Sequence, residues 1–167
     1  LRAFLFEEHP QMVRTPITKE GYNRLKKELE HLEKIERPAV IQAIAEARGH
    51  GDLSENAEYH AAKERQGHIE SRIQHLNKIL ANSEVIDCTN IPCDKVIFGV
   101  RVKLINLDTD EEVVYQLVGP EESNIQESRI SISSPLGRAL IGKTKGDEIE
   151  FRSPSGIKNY ELMDIFI

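Results

Sequence analysis

Cysteine is scarce in this 167-residue chain: Cys88 and Cys93 are the two thiols, with four residues between them. That spacing builds no disulfide framework, and no second pair exists to complete a tetrahedral zinc site. They read as reduced cysteines on a linker, which points to the cytosol. Long apolar runs are missing too. Nothing approaches the ~20 residues of a membrane span, and the apolar-rich stretch from Val96 to Leu107 alternates with polar residues. Internal repeats and low-complexity segments are absent. An excess of basic charge is also lacking, with 22 Lys and Arg against 28 Asp and Glu. The imbalance is uneven: residues 12–84 carry 12 basic and 12 acidic side chains, residues 85–167 carry 9 and 14. An acidic chain grips free nucleic acid poorly through its phosphates. Any nucleic acid it meets is expected to be presented by another protein.

With 39% hydrophobic and 30% charged residues, the composition is that of a globular protein. Residues 1–11 stand apart. Ala3-Phe4-Leu5-Phe6 followed by Glu7-Glu8-His9-Pro10 is too short for a signal h-region and lacks the basic start and small-residue cleavage site. Met12 reads as a natural start and residues 1–11 as an upstream or expression-derived extension, so they carry no functional argument.

Residues 18–84 have a helical period. Tyr22, Leu25, Leu29, Leu32 and Ile35 recur at spacings of three and four, and Val40, Ala43 or Ile44, and Ala47 continue the stripe. Thr18 is a good N-cap with Glu20 in the first turn. Pro38 should kink the helix or mark a local break. Gly49-His50-Gly51 stops it. A second helix is predicted from Asp52, with Ala62, Gln66, Ile69, Ile73, Leu76 and Leu80 in its seam. The short interval between the two folds them back on each other. Each arm, of about thirty residues, reaches roughly 45 Å, so most of the rod must project into solvent or a partner. Near the turn the seam is expected to narrow to Ala43, Ala47, Ala57, Ala61 and Ala62.

From Val85 the period becomes two. Val100, Val102 and Leu104, the turn at Asp108-Thr109-Asp110, then Val113, Tyr115 and Leu117 predict a hairpin. Ile130-Ser131-Ile132 is a further strand. Ser134 and Pro135 open a short helix that Gly142 ends. Glu148 to Phe151, Pro154-Ser155-Gly156 and Tyr160 to Ile165 form a last hairpin. The fold class is therefore α+β: a long antiparallel helical hairpin over residues 12–84, with coiled-coil character, then a small, mostly antiparallel β domain with one short helix over residues 85–167.

The chemistry sits at the turn of the rod. Asp52 and Glu55, three residues apart, fall on one face if the second helix begins at Asp52. Asp-x-x-Glu opening a helix is also a capping box, with Asp52 accepting from the Glu55 amide, and by spacing alone that reading comes first. Against it stand the projecting rod, an apolar Leu53 at the turn, and basic Arg48 and Lys63 just behind the tip. His50 and His60 read as solvated helix residues, because no H-E-x-x-H or comparable ligand spacing is present. Tyr59 could equally stack on a base or pack on the helix. Two acids cannot hold two metal ions, which argues against a self-sufficient nuclease.

The stretch Ala45-Glu46-Ala47-Arg48-x-x-Gly51-Asp52-Leu53-x-Glu55-Asn56-Ala57-Glu58-Tyr59-His60-Ala61-Ala62 resembles the tip signature of the Gre family of transcript-cleavage factors of bacterial RNA polymerase. Ser134-Pro135-Leu136-Gly137-Arg138-Ala139-Leu140-Ile141-Gly142-Lys143, with Gly146-Asp147, is similar to that family's C-terminal signature. The resemblance covers about Met12 to Ile167. The neutral hairpin and acidic second half look more like the GreA branch than the GreB branch. It implies an FKBP-like second domain that docks at the entrance of the polymerase secondary channel, and a hairpin that enters the channel of a backtracked enzyme. It implies that Asp52 and Glu55 are the catalytic, metal-binding acids, sharing a magnesium ion with the polymerase rather than binding one stably. Arg48, Lys63, Asn56 and Tyr59 would face the polymerase and the RNA 3′ end. Lys63 stands where the family often has arginine, which loses a bidentate phosphate contact. A cytoplasmic monomer that is a cofactor of another enzyme is expected. The alternative is a channel regulator that binds and inhibits without cleavage; relatives of that type tend to carry altered acidic tips. Zinc-containing channel regulators need cysteines this chain lacks, and an unrelated coiled-coil adaptor would explain the rod without the signatures.

Overall fold

A computed structural model describes residues 13–52 and 54–167. The extension at residues 1–11 and the exposure expected of Leu53 lie outside the described residues. The rod's first arm is α1 (Lys19–His31), a π-helical turn (Leu32–Glu36) and α2 (Arg37–Arg48); its second is α3 (Ala57–Ala81). Thr18 caps α1 as expected, its hydroxyl accepting from the Gly21 amide.

Pro38 has no N–H to give, and its ring would press on the carbonyl four residues back. The chain answers with a wide turn, in which the Arg37 amide donates to the Leu32 carbonyl five residues earlier. The expected kink or break is therefore a π turn. The extra residue rotates everything after it. Ile35, expected in the seam, points outward and is 57% exposed. The buried stripe passes instead from Leu25 to Val40, Ile44 and Ala47, facing Ala62, Ile69, Ile73 and Leu76 on α3. The alanine taper is partial: Ala47 and Ala62 are buried and Ala43 half-buried, while Ala57 and Ala61 face solvent. Arginine–glutamate pairs staple the arms beside the seam. Arg37 grips Glu70 with two bonds of 2.6 and 2.8 Å, Arg72 grips Glu28 at 2.7 and 3.0 Å, and Arg65 meets Glu36. Such half-exposed pairs define register more than they stabilise.

At the base, β1 (Thr15–Thr18) pairs in parallel with β2 (Ser83–Ile86), an element the periodicity did not announce. The second domain is a five-stranded sheet in the order β5-β4-β3-β7-β6. Its strands are β3 (Arg101–Asn106), β4 (Glu112–Val118), β5 (Arg129–Ser131), β6 (Glu148–Ser153) and β7 (Gly156–Phe166). Both predicted hairpins are present, and β5 joins β4 in parallel. The inward faces bury Val102, Leu104, Leu117, Ile149 and Leu162 with Leu140 of α4 (Pro135–Leu140). Ser134 caps α4 through the Gly137 amide. A Cβ at Gly137 would overlap the Ser131 carbonyl, so this position of the second signature has room for glycine alone. Among the described residues no helix is long and apolar enough to cross a membrane.

Candidate functional site

The end of the rod is built by one asparagine. Asn56, not Asp52, is the N-cap of α3: its Oδ1 accepts from the Tyr59 amide at 3.0 Å. Its Nδ2 donates to the Ala47 carbonyl at 2.6 Å, which also accepts from the His50 amide at 3.2 Å at the end of α2. One half-buried amide thus caps the second helix and ties it to the first.

This overturns the capping-box reading. The helix begins at Ala57, so Asp52 and Glu55 precede it and helical spacing does not align them. Asp52 makes an Asx turn instead, its Oδ1 accepting from the Ser54 amide at 3.0 Å and the Ser54 hydroxyl at 2.9 Å. These bonds, the backbone one first and the hydroxyl second, outweigh partial desolvation and hold the Asp52 carboxyl below the usual carboxylate range. Asp52 is therefore ionised at neutral pH. Its Oδ2 accepts no hydrogen bond among the described residues. Asp52 and Glu55 are both exposed.

The other candidates fall into two groups. Arg48 and Tyr59 are brought together, the Arg48 guanidinium carbon lying 6.0 Å from the centre of the half-buried Tyr59 ring. His60 meets that ring edge-on at 5.6 Å. Lys63 is exposed one turn further along, with its ammonium on Gln66 Oε1 at 3.0 Å. Asn56 sits inside the hairpin with both amide ends in use. Sequence reading overlooked Ser54, although Asp-x-Ser is an Asx-turn pattern. It also passed over Glu58, whose carboxylate lies 3.0 Å from His50 Nδ1 across the turn.

Carboxylate oxygens at an exposed tip are donors suited to magnesium, which keeps several of its waters. Among the described residues no group of three or more His, Cys, Asp or Glu side chains could hold a metal ion.

Comparison with known proteins bears on both halves of the chain. Residues 15–85 match the family model described as transcription elongation factor, N-terminal, and residues 91–166 the one described as transcription elongation factor, GreA/GreB, C-terminal. The transcription elongation factor GreA of Thermodesulfovibrio yellowstonii is 55% identical over 152 residues, 91% of this chain and 96% of that one. The GreA of Syntrophotalea carbinolica is 53% identical over 150 residues, 90% and 95% of the two chains. The crystal structure of the GreA factor homolog 1 protein of Thermus thermophilus aligns over 92% of this chain and 99% of its own, at 27% identity and a TM-score of 0.42, too low to compare arrangements. The two models divide the chain where the rod gives way to the sheet, and on that match and the identity to curated relatives, this chain belongs to the GreA/GreB family of transcription elongation factors.

Proposed function

We propose that this elongation factor stimulates the intrinsic cleavage of backtracked RNA 3′ ends by bacterial RNA polymerase, entering the secondary channel with its hairpin and completing the polymerase's active site with Asp52 and Glu55. The observation that carries this reading is the freedom of the two acids. Asn56 does the capping, so neither acid is needed to hold α3, and Ser54 holds Asp52 through Oδ1 alone. A carboxylate that neither helix depends on, at the far end of a rod, is available to a partner.

In this reading the chain supplies reach and placement. The rod carries the acids some 40 Å from the sheet domain, which docks at the channel entrance. A magnesium ion shared with the polymerase would activate the attacking water and stabilise the leaving oxygen. Asp52 and Glu55 contribute ligand oxygens and orient water. Arg48 and Lys63, on the two arms behind the tip, offer positive charge to the RNA 3′ segment, and Tyr59 presents what remains of its ring. The factor would work as a monomer in the cytoplasm, where its polymerase is.

The test is a stalled, backtracked elongation complex with purified factor. Asp52→Ala and Glu55→Ala should each retain polymerase binding and lower 3′-end cleavage by about two orders of magnitude, the scale of losing a group that acts in the transition state. Full cleavage by both variants overturns the assignment. Inhibition by the wild type without 3′-end shortening would instead identify a non-cleaving channel regulator.

A further inference from the structure

Most carboxylates of this chain are in water, but Glu122 is 4% exposed. It lies in a 3-10 turn, Pro120–Glu122, just after β4. Its side chain leaves the sheet domain and ends at the first turn of α1. Oε2 accepts from the Thr18 amide at 3.0 Å and the Gly119 amide at 3.1 Å, and Oε1 accepts from the Thr18 hydroxyl. That hydroxyl in turn accepts from the Gly21 amide at 3.0 Å. The carboxylate thus sits on the N-cap of the rod's first helix, where the helix dipole favours a negative charge. Two glycines make the approach possible. A Cβ at Gly21 would overlap Glu122 Oε1, and a Cβ at Gly119 would overlap the Pro16 carbonyl. The neighbouring Glu121 reaches the other arm, its Oε2 lying 3.8 Å from His75 Nε2 on α3. One turn of the sheet domain therefore touches both helices of the hairpin.

We infer that Glu122 is the positioning residue of the hairpin: its buried carboxylate sets the direction in which the rod leaves the sheet domain. Leverage makes this matter. A swing of ~10° at the base moves the end of a ~45 Å arm by roughly 8 Å, while a misplacement of about 1 Å suffices to damage catalysis. A flexible tether would leave the tip searching a wide cone; two hydrogen bonds from Thr18 into a carboxylate that Gly119 holds in place remove that freedom. A buried charge deprived of its partners is costly, so the joint has one favoured arrangement. The value of this aim for cleavage rests on the function proposed above; the aim itself does not.

Solution scattering on the full chain, amide exchange at Thr18 and Gly119, and cleavage of a backtracked complex at saturating factor test it together. Glu122→Ala should broaden the distribution of interatomic distances, raise exchange at both amides by on the order of tenfold or more, and lower the cleavage plateau by a similar factor. A fold merely weakened by the substitution would raise the half-saturating concentration and spare the plateau. Gly21→Ala, which drives a methyl group into the same carboxylate, should reproduce the effect. Glu122→Gln, which keeps the shape but turns one acceptor into a donor, should fall between. Wild-type scattering and exchange in both Glu122→Ala and Gly21→Ala overturn the inference, as does a full cleavage plateau with a broadened shape. If the wild type stimulates no cleavage, the functional reading fails while scattering and exchange still decide the joint.

Discussion

The two ends of the rod use carboxylates in opposite ways. At the tip Asp52 is exposed, bonded within its own turn to Ser54, and oriented at a cost the turn itself carries. At the base Glu122 is buried and bonded to donors that lie both in its own turn and at the start of α1. The first bonds only within its own turn, which suits a group that works on a partner. The second bridges its own turn and the start of α1, which suits a group that holds two domains together. Packing follows the same division. The base buries Ile17, Leu25, Leu76 and Ile79 in one cluster, while the tip relies on Ala47, Ala62 and the amide of Asn56.

Substitutions can break or sharpen this contrast. The largest effect on stability is expected at the base. Leu76 has no exposed surface, and Leu76→Ala should destabilise the protein by about 2–5 kcal/mol in chemical denaturation, leaving the Asp52 turn unchanged by NMR. Asn56→Ala should cost about 1 kcal/mol, the scale of a lost N-cap, with amide exchange rising at Tyr59 and His60 while α1 and the sheet keep their protection. Equal loss of protection at both ends would show that the tip is not the independent unit described above.

The smallest effect is electrostatic. Hydrogen bonds from Ser54 depress the folded-state carboxyl of Asp52. The sign follows: the stabilisation is present above the ordinary carboxylate range and is lost as pH falls through the depressed folded value. Ser54→Ala removes the hydroxyl donor and keeps the amide, so the Asp52 carbon resonance should titrate at higher pH than in the wild type. A midpoint that does not move would remove Ser54 from the account. The same sign applies to Glu70, whose carboxyl is lowered chiefly by its hydrogen bond from Arg37; Arg37→Met should raise its midpoint.

Much of this was readable in the residues, wherever the signal is local. Thr18 and Ser134 cap the helices they were expected to cap, because a hydroxyl before a helical run needs no distant partner. The period-two runs became the two hairpins, because alternation alone separates a buried face from a wet one. The tip was harder. Spacing chose Asp52 as the cap of the second helix, and the structure does not use it. The fold chose Asn56, because from that position its amide also reaches the Ala47 carbonyl on the other arm. Ile35 was misplaced for a related reason: a constant helical period cannot foresee the residue that the π turn before Pro38 inserts.

By itself, then, the sequence determined the rod, the sheet and the acidic turn that joins the arms, since periodicity, caps and breakers act over a few residues. Tertiary structure decided where the second helix starts, that β1 and β2 pair at the base, and that Glu122 meets Thr18 across a separation of 104 residues. Those contacts join segments far apart in the chain, and no local pattern encodes them. The acids at the tip were visible from the start; what aims them became visible when the chain closed on itself.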